Sequence, residues 1–116
     1  MSTGLTIAET KQFQSKAENL LSEVDRNSLI NYLALHPESG IVMRGTGGIR
    51  KIRWARENKG KSGGVRVIYY YYNQDMPLFL LTLFGKNEKA NLSQAECNEL
   101  AKLTKFLREQ YSGGDK

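Results

Sequence analysis

The sequence predicts a single α+β domain with a small, mainly antiparallel sheet and helices, in the order β-α-α-β-β-β-α. Three observations predict it: apolar residues recur every three to four positions between residues 10 and 35, three strand-like segments follow, and a capping box precedes a last helical stretch. A chain of 116 residues suits one core. We therefore expect one domain over residues 1–111 and a flexible tail over 112–116.

The first third of the chain predicts one short strand and two helices. An apolar run at Leu5–Ala8 is compatible with an edge strand. Helical periodicity then begins at Thr10 and continues to the segment HPESG, where a proline and a glycine must end the helix. The polar segment SEVDRNS in between indicates two helices rather than one, because Ser22 or Asp25 could cap a restart.

The second half predicts a three-stranded meander and a closing helix. The turn-rich sequences ENKGKSGG and NQDMP connect its strand-like segments, which are Ile49–Arg56, Val65–Asn73 and Leu78–Phe84. Ser93 and Glu96 form a Ser-x-x-Glu capping box, so the last helix is expected from Ser93 to Tyr111. We expect the helices to cover one face of this sheet.

Positive charge is concentrated in one stretch of the chain. Residues 50–66 carry seven basic side chains against Glu57 alone, a balance of +6, whereas the remaining residues sum to −1. Such a local field attracts a polyanion, so nucleic acid is the first partner to consider. The single cysteine indicates a reducing, cytoplasmic setting, and the absence of a leader-like or membrane-length apolar run predicts no membrane interaction.

Strand alternation is expected to bring three of these cations together. Lys51 and Arg53 lie two residues apart on one strand and Arg66 lies on the next, so all three could converge on one phosphate if the register allows. Like charges clustered on one face repel each other, a cost that a purely structural pattern has little reason to bear. A solvated sheet face without a binding role stays open as an alternative. By the same parity Tyr70 shares the face of Arg66 and could stack on a base, whereas Trp54 faces the core.

Three further features of the sequence argue against a nucleotide-binding loop and against histidine-based catalysis. The sequence GKS resembles the end of a phosphate loop, but Ala55 occupies the position where that loop needs its first glycine. The sequence GTGGIR indicates a turn before the strand at Ile49 rather than a dinucleotide fingerprint. With His36 as the single histidine, two-histidine RNA cleavage is excluded, and its place beside Pro37 at a helix end argues against a Ser/His triad.

The chain resembles a known family in the order of its elements, and most specifically from Gly45 to Glu88. The sequences GTGGIRKIRWARENKGKSGGVRVIYYYY and LLTLFGKNE are similar to those of the RelE/HigB superfamily of bacterial type II toxins, particularly HigB-like members. The resemblance implies a RelE-like fold, with two N-terminal helices and one C-terminal helix, and cleavage of messenger RNA in the ribosomal A site. It also implies three partners: messenger RNA, the ribosome with its ribosomal RNA, and a cognate helix-turn-helix antitoxin of the HigA type.

The resemblance also implies roles for individual residues. By motif, the catalytic residues are expected to be Lys51, Arg53, Arg66 and Lys86. Arg66 is the candidate for stabilising the transition state, Lys51 or Lys86 could exchange protons where nearby cations favour the neutral amine, and Glu88 is a further candidate base. Residues expected to contact RNA or the ribosome are Arg50, Arg56, Lys59, Lys61, Tyr70, Asn87 and Lys89.

Two departures from the family pattern leave the general acid and base open. Well-studied RelE members have an arginine directly after the lysine matched by Lys86 and a tyrosine shortly beyond, where this chain has Asn87 and then EKANLS. No cofactor is expected, and a metal-independent mechanism is favoured because a set of carboxylate ligands is not found nearby in sequence. Two alternatives stay open: a non-catalytic RNA-binding module, and a ParE-type toxin that targets DNA gyrase, although those relatives generally lack the cation set.

Overall fold

The computed structural model describes residues 5–56, 64–85, 88 and 91–112. Within these residues a five-stranded sheet has the strand order β1-β5-β4-β3-β2. The elements in chain order are β1 Ile7–Glu9, α1 Lys11–Leu20, α2 Glu23–Leu35, β2 Ile41–Val42, β3 Ile49–Trp54, β4 Val65–Tyr70, β5 Leu78–Gly85 and α3 Gln94–Ser112. β1 runs parallel to β5, and the other neighbouring pairs are antiparallel. The predicted α+β class and the mainly antiparallel sheet are confirmed.

Short polar side chains begin the two N-terminal helices. The hydroxyl oxygens of Thr10 and Ser22 each accept a hydrogen bond from the backbone N–H three residues later, at 3.1 and 3.0 Å. The break between the helices therefore lies at Ser22, one of the two positions that the sequence allowed. α2 ends at Leu35, and His36 is its C-cap residue.

The last helix begins with the predicted capping box. The Ser93 hydroxyl accepts a hydrogen bond from the Glu96 N–H at 3.1 Å, and the Glu96 carboxylate accepts one from the Ser93 N–H at 2.8 Å. Both contacts satisfy backbone donors that a helix start leaves unpaired. α3 continues through Ser112, and the rest of the expected tail lies outside the described residues.

The helices cover both faces of the sheet, so the prediction that they cover one face is wrong. α1 and α2 bury Phe13, Leu29 and Leu33 against one face, whereas α3 packs on the other face over Ile68 and Tyr70. The reason lies in β4 and β5, where nearly every side chain is buried rather than every second one. Strands that are apolar on both sides need cover on both sides.

The bounds of every strand differ from the prediction: β1 spans Ile7–Glu9 rather than Leu5–Ala8, and β5 ends at Gly85 rather than at Phe84. β2, the two-residue edge strand, pairs with β3 and was not predicted, because two exposed apolar residues show no alternation. β3 and β4 end at Trp54 and Tyr70, before their predicted ends. No helix within the described parts of the chain is long and apolar enough to cross a bilayer.

Candidate active site

Two arginines face each other across the β3–β4 ladder. Arg53 pairs in register with Arg66. Lys51, two residues earlier on β3, pairs with Ile68 and lies on the same face of the sheet as Arg53. Side chains directly opposite each other in an antiparallel pair have Cβ atoms about 5 Å apart. The structure therefore brings Lys51, Arg53 and Arg66 to one face, which is the face that α3 covers further along the strands. We call these three residues the cation cluster.

Lys51 also contacts the segment that leads into α3. Its Nζ donates to Oδ1 of Asn91 at 3.5 Å, and Asn91 lies just before the capping box of α3. An ammonium group has three N–H donors, so this contact leaves two for an anion. Lys51 is thereby directed toward the space between β3 and the start of α3.

The cation cluster has no acidic partner in the described part of the chain. None of its three side chains lies within ion-pair distance of a carboxylate there, whereas other basic residues do form such pairs. Arg53 is exposed, and Lys51 and Arg66 are half-buried. Unpaired cations at a partly desolvated surface attract an anion such as a phosphate. The described residues contain no group of three His, Cys, Asp or Glu side chains arranged to hold a metal ion.

Comparison with known proteins shows to which family the chain belongs. Residues 5–112 match the family described as the RelE toxin of the RelE/RelB toxin–antitoxin system. The chain belongs to the RelE toxin family. A free-state mutant of the E. coli toxin RelE has a similar fold, with a TM-score of 0.54 and 13% identity over 88% of this chain and 98% of that chain. Membership of the RelE family identifies the chain as a toxin of a toxin–antitoxin system and implies an antitoxin partner.

Two arginines expected to contact RNA have structural contacts in this RelE-family fold. Arg50 donates through Nη1 to the backbone oxygens of Glu38 and Gly40, at 3.0 and 2.8 Å. Arg56 donates through Nη1 to the Leu20 oxygen at the end of α1, at 3.0 Å. Alternation along β3 directs Arg50 to the face opposite the cation cluster. We therefore leave both arginines out of the RNA-binding surface proposed below.

The position of Tyr70 argues against the base-stacking role expected from its parity. It does share the face of Arg66, but its side chain is only 1% exposed, so its ring offers no open face to a base. Its hydroxyl oxygen accepts a hydrogen bond from Arg108 Nη1 at 3.1 Å, and this bond is the main cause that raises the pKa of Arg108. Tyr70 thus anchors α3 to the sheet.

Glu88, the further candidate base, lies beside α1. Its Oε2 is 3.0 Å from the Nζ of Lys16, and its Oε1 accepts a hydrogen bond from the Gly85 N–H at 3.4 Å. These contacts hold the carboxylate at the end of β5. The remaining predicted site residues lie outside the described part of the chain, and they are Lys59, Lys61, Lys86, Asn87 and Lys89.

Sequence reasoning missed Asn91, the residue that the structure places against Lys51. The two lie 40 positions apart, and an asparagine before a capping box is typical of an ordinary loop. No local signal could have found the contact, because it exists only where the start of α3 packs beside β3. Asn91 belongs to the segment EKANLS, in which the chain departs from the family pattern.

Proposed function

We propose that this RelE-family toxin is a HigB-like, ribosome-dependent endoribonuclease that cleaves messenger RNA in the A site and thereby inhibits translation. The observation that carries the proposal is the cation cluster, in which Arg53 faces Arg66 in register and Lys51 lies on the same face without a described carboxylate partner. Directly opposed like charges cost folding free energy. An RNA phosphate bound between them would offset that cost.

RNA supplies its own nucleophile for this reaction. In the proposed step the 2′-oxygen attacks the adjacent phosphorus and the bond from phosphorus to the 5′-oxygen breaks. The products are a 2′,3′-cyclic phosphate and a free 5′-hydroxyl end, so the proton lost from the 2′-hydroxyl is balanced by one delivered to the leaving oxygen. The enzyme needs to align the two groups, move these protons and stabilise the charge on phosphorus-bound oxygens.

The cation cluster can meet these needs with separate roles. Arg66 and Arg53 would each hold phosphate oxygens through a guanidinium fork, whose hydrogen bonds strengthen as negative charge develops. By analogy with oxyanion holes, one such donor is worth about 2.7 to 4 kcal/mol in the transition state. Lys51, held by Asn91, is our first candidate for proton transfer. Lys86 is the second candidate, and Glu88 is the third.

The proposal also includes partners. The ribosome is contacted through basic or polar residues outside the described part of the chain, for which we propose Lys59, Lys61, Asn87 and Lys89. The cognate antitoxin is proposed to be a helix-turn-helix protein of the HigA type, and a ribosomal target places the toxin in the cytoplasm. Copurification of the toxin with the product of a neighbouring helix-turn-helix gene would test this partner.

Cleavage by purified protein on programmed ribosomes tests the proposed activity. We expect wild-type protein to cut the message within the A-site codon, and Arg66→Gln to slow the cut by about 10²- to 10³-fold. Lys11→Gln is the matched control, because it removes the same charge from an exposed position at the start of α1. Mapping of RNA 5′ ends over time measures both rates.

Three outcomes would contradict the proposal in different ways. Stoichiometric, salt-dependent binding of RNA without a product would indicate a non-catalytic RNA-binding module instead. Inhibition of gyrase supercoiling with translation intact would indicate a ParE-type activity. Equal cleavage by wild type and Arg66→Gln would contradict the proposed role of Arg66 in stabilising the transition state.

A further inference from the structure

An apolar groove runs beside α3, on the side that faces β5 and the start of α1. Its volume is about 360 Å³. Thr10 and Thr82 contribute hydroxyl groups to it. Most of its wall consists of leucine and alanine side chains, which are Leu81 of β5 and, in or just before α3, Leu92, Ala95, Leu100 and Leu103. α3 therefore covers only part of this face of the sheet.

Phe106 lies next to this groove on the surface of α3. Its side chain is 54% exposed. It follows Leu103 by three positions and Glu99 by seven, so all three side chains lie along one side of the helix. Leu103 and Glu99 both line the groove. An exposed aromatic side chain beside an apolar groove is typical of a protein–protein contact surface.

The charged residues of α3 are divided between its two halves. The first half contains Glu96 and Glu99, a net charge of −2. The second half has a balance of +2, because it contains Glu109 against three cations, which are Lys102, Lys105 and Arg108. Two antiparallel copies of this helix therefore place each negative half over the positive half of the other, whereas a parallel pair would oppose like charges.

We propose that the groove binds a second copy of this chain, in a twofold-symmetric dimer in which the two α3 helices pack antiparallel. A twofold axis beside residues 102 and 103 sets Phe106 of each copy level with Glu99 of the other copy, at the middle of its groove. The Phe106 ring is then buried among leucine side chains, and Glu99 lies within one helical turn of Lys102 of the other copy. Both contacts occur twice, because the interface is self-complementary.

The chemistry of the groove favours a protein surface over RNA as its occupant. The carboxylates of Glu96 and Glu99, which line the groove, repel phosphate groups. The cation cluster lies on β3 and β4, toward the other edge of the sheet, so the dimer leaves it accessible to an anion. The inference therefore does not depend on the proposed endoribonuclease function.

Sedimentation velocity over a series of protein concentrations tests the dimer. One helix pair forms a small interface, so we expect a reversible equilibrium of monomer and dimer between about 1 µM and about 1 mM. Phe106→Glu should abolish the dimer, because it places a carboxylate in the apolar groove of the other copy. Leu35→Glu is the matched control and should keep the wild-type equilibrium, because it introduces the same charge at a side chain of α2 that is 61% exposed.

Charge reversal tests the antiparallel arrangement. Glu99→Lys makes this part of α3 positive and Lys102→Glu makes it negative, so each variant should self-associate several-fold more weakly than wild type. An equimolar mixture of the two should restore association, because each copy then supplies the charge that the other lacks. Both side chains are 76% exposed, so circular dichroism and thermal unfolding should show that the variants remain folded.

Three results would overturn the inference. A wild-type protein that stays monomeric at about 1 mM, or a dimer that persists in Phe106→Glu, would show that the groove does not bind a second copy. In the first case, loss of antitoxin binding in Phe106→Glu but not in Leu35→Glu would assign the groove to the antitoxin instead. Equal self-association of wild type, Glu99→Lys and Lys102→Glu would refute the antiparallel pairing of α3.

Discussion

Arg53 and Arg66 form a like-charge pair that folding alone does not favour. Cross-strand pairs change stability by about 0.2 to 1 kcal/mol, and directly opposed like charges destabilise. The register sets these two arginines opposite each other, with Lys51 on the same face. Such a locally unfavourable arrangement is typical of a site whose ligand supplies the missing counter-charge.

Glu9 and Arg26, unlike the cation cluster, form an ion pair with a structural role. Glu9 accepts two hydrogen bonds from the Arg26 guanidinium, at 2.8 and 3.2 Å, and both side chains are mostly buried. The hydrogen bonding by Arg26 is the largest cause that lowers the pKa of Glu9 below its ordinary value of 4.5. This pair links β1 to α2, far from the cation cluster in sequence.

The lowered pKa of Glu9 predicts a pH-dependent contribution to stability. Because the folded state favours the carboxylate, the stabilisation is complete above pH 4.5 and is lost as the pH falls through the lower folded pKa. We expect Glu9→Gln to reduce the free energy of unfolding by about 1 kcal/mol at pH 7, and the difference from wild type to shrink below pH 4. Urea unfolding at both pH values measures it.

A matched substitution controls for the loss of negative charge. Glu38→Gln removes a carboxylate from an exposed side chain, so we expect little change in unfolding at either pH. A Glu9→Gln effect that stayed constant from pH 7 to pH 3 would show that the ion pair does not stabilise the fold.

The glycine turn before β3 and the last helix depend on each other. Gly45, Gly47 and Gly48 have φ angles of 77°, 78° and 108°, which side chains disfavour. α3 packs on this turn through the buried Thr104, whose hydroxyl donates to the Thr46 oxygen at 3.3 Å, and through Arg108. The turn therefore positions both β3, with its cations, and α3.

Substitutions in this turn should separate backbone strain from helix packing. A Cβ at Gly47 would lie 2.5 Å from the Thr104 hydroxyl oxygen, whereas a Cβ at Gly45 would have no heavy atom within 4 Å. Gly45→Ala should therefore cost only the φ penalty of about 1 to 2 kcal/mol, and Gly47→Ala should cost clearly more. Thermal and urea unfolding of both variants measure the difference, and equal losses would contradict the proposed contact with α3.

The sheet sorts the basic residues of one sequence segment onto two faces with different roles. Arg50 faces the loop after α2 and bonds to its backbone, while Lys51 and Arg53 lie on the face of the sheet that α3 partly covers. The positive charges that the structure describes in residues 50–56 and 64–66 therefore do not form one binding surface. One part stabilises the fold, and the other part is free to bind an anion.

This sorting predicts opposite effects for two arginine substitutions. Arg50→Gln should lower the free energy of unfolding by about 1 to 3 kcal/mol, because two backbone oxygens lose their donor, and it should leave RNA affinity unchanged. Arg66→Gln should keep or raise stability, since it removes the repulsion, and should reduce the salt dependence of single-strand RNA binding by about 0.7 in the log–log slope.

Urea unfolding and fluorescence anisotropy over a series of salt concentrations measure the two effects on the same proteins. A loss of RNA affinity in Arg50→Gln as large as that in Arg66→Gln would contradict the division of the charges between the faces. Wild type measured at each salt concentration is the reference for both variants.

Features that depend on a few neighbouring residues could be predicted from the sequence. The caps at Ser22 and Ser93, the turn before Ile49 and the common face of Lys51 and Arg53 all follow from side chains within four positions of each other. The resemblance of residues 45–88 to RelE/HigB toxins indicated the family, which the match over residues 5–112 then confirmed.

Features that depend on distant packing were decided by the tertiary structure. The register that opposes Arg53 to Arg66, the burial of Tyr70 under α3 and the contact of Asn91 with Lys51 join segments that are separated along the chain. Alternation assigns a side chain to a face but not to the part of that face that a helix will cover. That coverage arises because helices pack against both apolar faces of β4 and β5. It is therefore a property of the assembled core and not of any one segment.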